Sequence, residues 1–140
     1  MNLEIQRLND LAEEWYRKHN NDAGWDIPSP ITDTIFPMAS KVIPLGWAVA
    51  IPENHVGLLT GRSSTFINKD LMVVTGVIDP GYRGELGLVL YNTTNDPVYI
   101  TKGERLCQLL IVPCLHVDLC KKDSLDDTVR SSNGFGSTGR

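Results

Sequence analysis

Two kinds of side chain in this sequence could do chemistry together: a carboxylate held on a turn, and a guanidinium set among hydroxyls. The carboxylate is Asp79, within Val73–Glu85, VVTGVIDPGYRGE. An apolar run ends at Asp79, and Pro80, Gly81, Tyr82, Arg83 and Gly84 follow directly. A carboxylate placed on a rigid strand-turn scaffold, with an aromatic three residues on, can activate a water molecule. A plain hairpin whose Asp caps its own turn is the other reading of the same residues. The guanidinium is Arg62, in Gly61-Arg62-Ser63-Ser64. Successive hydroxyls and N–H groups beside an Arg can bind phosphate oxygens, although four residues of this kind read equally well as a surface turn. Gln108 lies inside the apolar run Leu106–Val112, so its amide must find partners. It either knits two strands together or reaches a ligand. His19, His55 and His116 are scattered, and no loop of the form G-x-x-x-x-G-K followed by Ser or Thr is present. Nucleotide chemistry here would not use a P-loop.

The elements that must carry these residues are short. Pro28, Pro30, Pro37, Pro44, Pro52, Pro80, Pro97 and Pro113 punctuate the chain, leaving no interior segment free to be a long helix. Apolar stretches at Lys41–Ile43, Gly46–Ile51, Val56–Thr60, Leu71–Val74, Leu86–Tyr91, Val98–Thr101 and Leu106–Val112 read as strands, and His116–Leu119 as one more. Alternation resuming after the Pro-Gly turn makes Val73–Leu90 a hairpin with Asp79 at its mouth, and Asp26 is expected where a strand begins. Residues 1–5 alternate and suit an edge strand. Leu8, Leu11, Ala12, Trp15 and Tyr16 recur at helical spacing and predict a short helix, broken at Asn20-Asn21-Asp22. Many short strands with Gly and Pro turns predict an all-β barrel or sandwich in one domain. Beyond Cys120 the sequence becomes polar and rich in Ser, Asp and Gly, so a mobile terminus is expected. Phe135, alone between Gly134 and Gly136 and followed by Ser137 and Thr138, suits either a disordered end or a lid that wraps an anion.

A chain of 140 residues with 41% hydrophobic content can bury a real core. Its formal net charge of -4 and lack of a basic cluster argue against a long nucleic-acid partner, while leaving small anionic ligands open. No apolar run is long enough to span a membrane, and no signal peptide is evident. Cys107, Cys114 and Cys120 are odd in number and fit neither a zinc site nor a redox pair. Buried free thiols in a reducing compartment are expected.

Taken in order, these motifs resemble the trimeric all-β deoxyuridine triphosphatases, the dUTPase family. Ala23–Ile27, AGWDI, is similar to a first motif usually read AGxDL. Gly61–Ser64 resembles the second, Gly76–Glu85 the third, and Gly103–Pro113 the fourth, with Leu106 and Cys107 in the usual Ile-Ala places. Arg130–Gly139 resembles a glycine-rich fifth motif in which Ser131 and Asn133 replace two glycines. The segment Asp10–His19 lacks the family's proline-rich lead-in.

The resemblance implies a distorted jelly-roll (β-clip) body over residues 1–128, a mobile C-terminal arm or lid over 129–140, and a homotrimer with three shared sites that convert dUTP to dUMP and pyrophosphate. In such sites the first, second and fourth motifs come from one subunit, the third from a second and the fifth from the third. Asp79 would orient and activate the attacking water. Tyr82 would pack on deoxyribose, and the backbone of Gly76, Val77 and Ile78 would read uracil. Arg62, Ser63, Ser64 and Gln108 would hold phosphates, and Arg105 would support the site near the third-motif carboxylate. Asp26 would position the triphosphate–Mg²⁺ complex through water, with no direct protein ligand to the metal. Phe135 would cover the base, while Arg130, Ser137 and Thr138 would grip the terminal phosphate. A triphosphate carries several negative charges, so hydrolysis needs charge neutralisation and a placed water, which these groups could supply. The cytoplasm, or a host's cytoplasm for a viral protein, is the expected location.

A dCTP deaminase of the same fold is the nearest alternative, but Val89 stands where that family has a catalytic Glu, and Ile67 where it has an Arg. A non-enzymatic regulator that uses the fold to bind a partner is a third reading, against which the intact Asp79 argues.

Overall fold

Short apolar runs cut by Pro and Gly give eleven strands and one short helix in the structure, a computed structural model that describes residues 1–134. The strands are β1 (Glu4–Arg7), β2 (Gly24–Pro28), β3 (Asp33–Ile35), β4 (Ser40–Pro44), β5 (Trp47–Ala50) and β6 (His55–Gly61). After α1 (Ser63–Lys69) come β7 (Leu71–Val74), β8 (Gly76–Ile78), β9 (Gly87–Asn92), β10 (Val98–Ile100) and β11 (Arg105–Pro113). The fold is all-β and jelly-roll-like, and each of the seven runs from Lys41–Ile43 to Leu106–Val112 contributes a strand. A four-stranded sheet has the order β2-β11-β6-β8, and a three-stranded sheet the order β4-β9-β7. Two further pairs, β1 with β5 and β3 with β10, complete the pairing. All of these pairs are antiparallel.

The core lies between the two larger sheets. Period-two alternation turns Ile27, Leu59, Cys107 and Leu109 inward from one sheet, and Ile43, Leu71, Leu88 and Leu90 inward from the other. All eight are essentially inaccessible. At about 25 cal/mol per Å² of apolar area removed from water, this packing is the main force holding the sheets face to face.

Four expectations need correction. The helix over Leu8–Tyr16 does not form: Asn9 Oδ1 accepts the Leu11 N–H in a local turn, and Tyr16 makes a β-bridge to Asp26. A helix of that length is marginal without packing on both flanks, and here turn and bridge bonds satisfy the backbone instead. Val73–Leu90 is not a hairpin, because β8 pairs with β6 whereas β9 pairs with β4 and β7. The Pro-Gly turn thus carries the chain from one sheet to the other. His116–Leu119 forms no strand and is fully exposed. Of the three thiols only Cys107 is buried; Cys114 is half-buried and Cys120 exposed. The expected edge strand exists, shifted to Glu4–Arg7 and paired with β5.

The irregular N-terminal segment is fastened at Gly46, in the turn between β4 and β5. Gly46 accepts the Leu8 N–H through its carbonyl and donates its own N–H to the Glu85 carboxylate, both at 2.8 Å. Its φ is +77°, and a Cβ there would stand 2.6 Å from the Cβ of buried Ala12. Both the left-handed backbone and the contact require glycine. Gly46→Ala should therefore lower the unfolding free energy by about 1–3 kcal/mol. Thermal or urea unfolding of the variant checks this, and an unchanged midpoint would contradict it.

Candidate active site

A polar row crosses the outward face of the four-stranded sheet. Asp26, at the centre of β2, faces Gln108 on β11, and Gln108 faces Thr60 on β6. Thr60 in turn meets Thr75 just before β8, their hydroxyls 3.2 Å apart. The neighbouring positions point into the core, so alternation alone sorts polar from apolar here. Gln108 donates its amide to the Gly61 carbonyl at 3.3 Å, which knits β11 to β6, and it also lines a cavity beside Asp26. A Cβ on Gly24 would come within 2.9 Å of the Gln108 amide oxygen, so the first-motif glycine leaves that amide its space.

Three motifs converge on Asp26. Arg62 Nε lies 3.1 Å from one carboxylate oxygen and Arg105 Nη1 3.4 Å from the other. Arg62 also donates to the Arg105 carbonyl at 2.9 Å. Arg105 sits at a register irregularity where β11 pairs with β2, the kind of bulge that re-aims a side chain. Arg62 is the N-cap of α1, a helix the proline pattern did not lead us to expect within the second motif. Its first residues are Ser63, exposed, and Ser64, half-buried, and Ser64 lines a further cavity with Arg62 and Arg105. Buried Thr65 donates to the Leu106 carbonyl at 2.7 Å and locks the second motif to the fourth. That contact was missed in the sequence, where Thr65 reads as an ordinary polar residue.

Asp26, Arg62, Arg105 and Gln108, with Tyr16 and Arg17, line a cavity of about 580 Å³. Another of about 540 Å³, walled by residues such as Leu3, Ile5, Trp15, Trp25 and Ile111, is mainly apolar and lacks this cluster. Burial pushes the Asp26 carboxyl above its ordinary value, and the charges of Arg62 and Arg105 offset only part of that effect. The same site pushes the Cys107 thiol up to about 12, chiefly through burial and secondarily through the Asp26 charge, so it remains an unreactive thiol. Among the described residues, no group of three or more His, Cys, Asp and Glu side chains gathers where it could hold a metal ion.

Asp79 stands elsewhere. It follows β8, the opposite edge of the sheet from β2. Three strand spacings across and four residues along from the Asp26 row put it about 20 Å from Asp26 within one chain. Within one chain Arg105 is therefore set at the first-motif carboxylate, far from Asp79. The Asp79 carbonyl accepts the Tyr82 N–H at 3.1 Å and closes the turn; among the described residues its exposed carboxylate takes no hydrogen bond, so it is not a turn cap. Tyr82 donates to the Glu85 carbonyl at 2.9 Å and its ring lies against Gly84, where a Cβ would have to push the ring aside. Among the described residues Gly76, Val77 and Ile78 pair with β6 on one side only, so there β8 presents an unpaired backbone edge beside this turn.

In the arm, Arg130 Nε donates to the Asn133 carbonyl at 3.1 Å. Ser131 has a φ of 47°, a left-handed conformation that the glycine of the resembled motif would adopt at no cost. Phe135, Ser137 and Thr138 lie outside the described residues. Val89 faces Val42 and Val74 across its sheet and Ile67 is exposed on α1, so neither brings a polar group to the site that the deaminase reading needs.

The raised pKa of Asp26 has a consequence for stability. Between 3.8 and its elevated folded value, the folded state retains a proton that the unfolded state has lost. Linkage then makes the contribution of Asp26 fall as pH rises through that window and level off above it. Asp26→Asn has no carboxyl at this position and lacks this component. Urea unfolding at stepped pH upward from 3.8 should show the stability of wild type falling relative to Asp26→Asn. A rising difference would mean that the two guanidiniums outweigh burial.

Known proteins give the site its context. A model of the dUTPase family matches residues 12–139. The chain is 40% identical over 138 residues to the deoxyuridine 5'-triphosphate nucleotidohydrolase of Corynebacterium diphtheriae, covering 96% of this chain and 91% of that one. It is 36% identical over 138 residues to the enzyme of the same name from Mus musculus, covering 99% and 85%. Among solved structures, the dUTPase of Staphylococcus bacteriophage 80alpha with dUPNHPP aligns with a TM-score of 0.93 at 33% identity, covering 99% of each chain. A mutant dUTPase from phage phi11 of S. aureus, described as revealing the coordination of a structural Mg(II) ion, aligns at 0.83 with 31% identity over 89% of this chain and 98% of that one. With five motifs in order, the matching fold and this extent of likeness, the chain belongs to the dUTPase family.

Proposed function

We propose that this chain is a dUTP diphosphatase, which hydrolyses dUTP to dUMP and pyrophosphate. The carrying observation is the convergence of Asp26, Arg62, Arg105 and Gln108 on one cavity, in a chain whose relatives are named deoxyuridine 5'-triphosphate nucleotidohydrolases. Two guanidiniums and an amide there suit phosphate oxygens. The hydroxyls and N–H groups of Ser63 and Ser64, on the first turn of α1, extend the same surface.

The position of Asp79 supports a homotrimer with shared sites. At about 20 Å from its own chain's cluster, Asp79 is too far to act on a phosphate held there, because general-base catalysis works within hydrogen-bond reach or through one water. Asp79 from one subunit would serve the phosphate cluster of another. In that arrangement Asp79 takes a proton from water as the water oxygen bonds to phosphorus, and the α–β phosphoanhydride bond breaks to release pyrophosphate. Tyr82 stacks on deoxyribose and leaves no partner for a 2′-OH. The unpaired edge at Gly76, Val77 and Ile78 offers backbone donors and acceptors to uracil.

The cluster suits Mg²⁺ carried by the triphosphate: the nucleotide would hold the ion, and Asp26 would position it through water. The ion, when bound, neutralises phosphate charge. Residues 1–128 form the catalytic body and 129–140 the lid, in which Arg130, Ser137 and Thr138 close on the far phosphate and Phe135 on the base. The cytoplasm suits both the nucleotide and three free thiols.

Given dUTP and Mg²⁺, the protein should release dUMP and pyrophosphate, whereas ammonia from dCTP would indicate the deaminase. Asp79→Asn keeps the shape and removes the base, so kcat should fall about 10²-fold or more with nucleotide binding largely kept. Near-normal kcat in that variant would remove Asp79 from the mechanism. Sedimentation at assay concentration should give a trimer; a mass near 15.5 kDa would contradict shared sites.

A further inference from the structure

Tyr16 belongs to the segment that departs from the family's lead-in, yet it reaches the phosphate cluster. Its backbone exchanges two hydrogen bonds with the backbone of Asp26, of 2.9 and 2.8 Å, so its place is fixed beside the residue at the centre of the site. The Arg105 guanidinium lies over its ring, 4.4 Å from the centroid. Arg105 is therefore held twice, by the Tyr16 face and by Asp26 at 3.4 Å. Neither contact uses all five of its N–H donors. Tyr16, Asp26, Arg62, Arg105 and Gln108 line one cavity.

We infer that Tyr16 is a positioning residue for polyphosphate binding: its ring holds the Arg105 guanidinium in the orientation that presents its free donors to the substrate. The inference rests on the diphosphatase reading for the identity of the substrate, and on geometry alone for the placement of Arg105. An exposed Arg side chain has many rotamers, and a π-face beneath it narrows them without taking up a hydrogen-bond donor. The hydroxyl of Tyr16 is not needed for this, but the aromatic face is. Because Arg105 would contact phosphate in both ground and transition states, the effect falls on KM rather than kcat.

The test compares Tyr16→Leu, Tyr16→Phe, Arg105→Ala and the Tyr16→Leu/Arg105→Ala double variant in the full chain. Steady-state kinetics with dUTP and Mg²⁺ are paired with calorimetric binding of inorganic tripolyphosphate and with thermal unfolding. Tyr16→Leu should raise KM about five- to tenfold with kcat within about twofold, and Tyr16→Phe should restore KM. In the Arg105→Ala background Tyr16→Leu should add nothing. Equal KM in wild type and a folded Tyr16→Leu would overturn the inference. So would a Phe variant as impaired as the Leu one, or an undiminished Tyr16 effect once Arg105 is gone. A change in thermal midpoint alone would mark Tyr16 as a packing residue and equally overturn it. If wild type does not turn over dUTP, the diphosphatase reading fails by itself. The tripolyphosphate affinities then decide the role of Tyr16 by the same comparisons.

Discussion

The site depends on one half-buried carboxylate between two guanidiniums. Asp26 brings together residues far apart in the chain, with Arg105 79 residues away, because β2, β11 and β6 lie side by side. A buried ion pair often contributes little net stability, since desolvation of the charges offsets their attraction. The upward shift of the Asp26 carboxyl is that desolvation cost made visible. What the arrangement supplies is a fixed geometry for Arg62 and Arg105, which in our reading awaits an anion richer in charge than one carboxylate.

The same sheet that builds this cluster keeps Asp79 away from it. Order β2-β11-β6-β8 places the two carboxylates at opposite edges, and the turn after β8 leaves for the other sheet. In our reading a single chain thus carries two half-sites, one at each edge of the sheet. Cyclic association of identical chains can bring unlike halves together repeatedly and leave none unused. In our reading, assembly and catalysis are therefore one requirement.

Much of this was legible in the sequence where chemistry and period coincide. Alternation and proline spacing located the seven main strands, and Asp79, Arg62 and Gln108 stood out because each is polar at the end of, or inside, an apolar run. The failures are equally physical. Leu8, Leu11, Ala12, Trp15 and Tyr16 have helical spacing, but an Asx turn at Asn9 and a bridge to Asp26 satisfy the backbone differently. The turn is local and the bridge partner lies outside the periodic segment, so neither leaves a periodic trace. The Pro-Gly turn after Asp79 does reverse the chain, but hairpin and sheet-to-sheet crossover share the same local residues. Helix α1 is too short for its period to register, and the place of Tyr16 beside Arg105 depends wholly on tertiary pairing.

The central claim is that Asp79 of one chain serves the phosphate cluster of another, and subunit mixing addresses it directly. Asp79→Asn and Arg62→Ala chains, each nearly inactive as a homotrimer, are unfolded together, refolded at equal ratio, and the mixed trimers confirmed by mass. With sites shared between chains, random mixing regenerates about a quarter of the sites with both groups intact, and activity should recover to about that fraction of wild type. Mass-confirmed mixed trimers with no more activity than either parent would contradict the account.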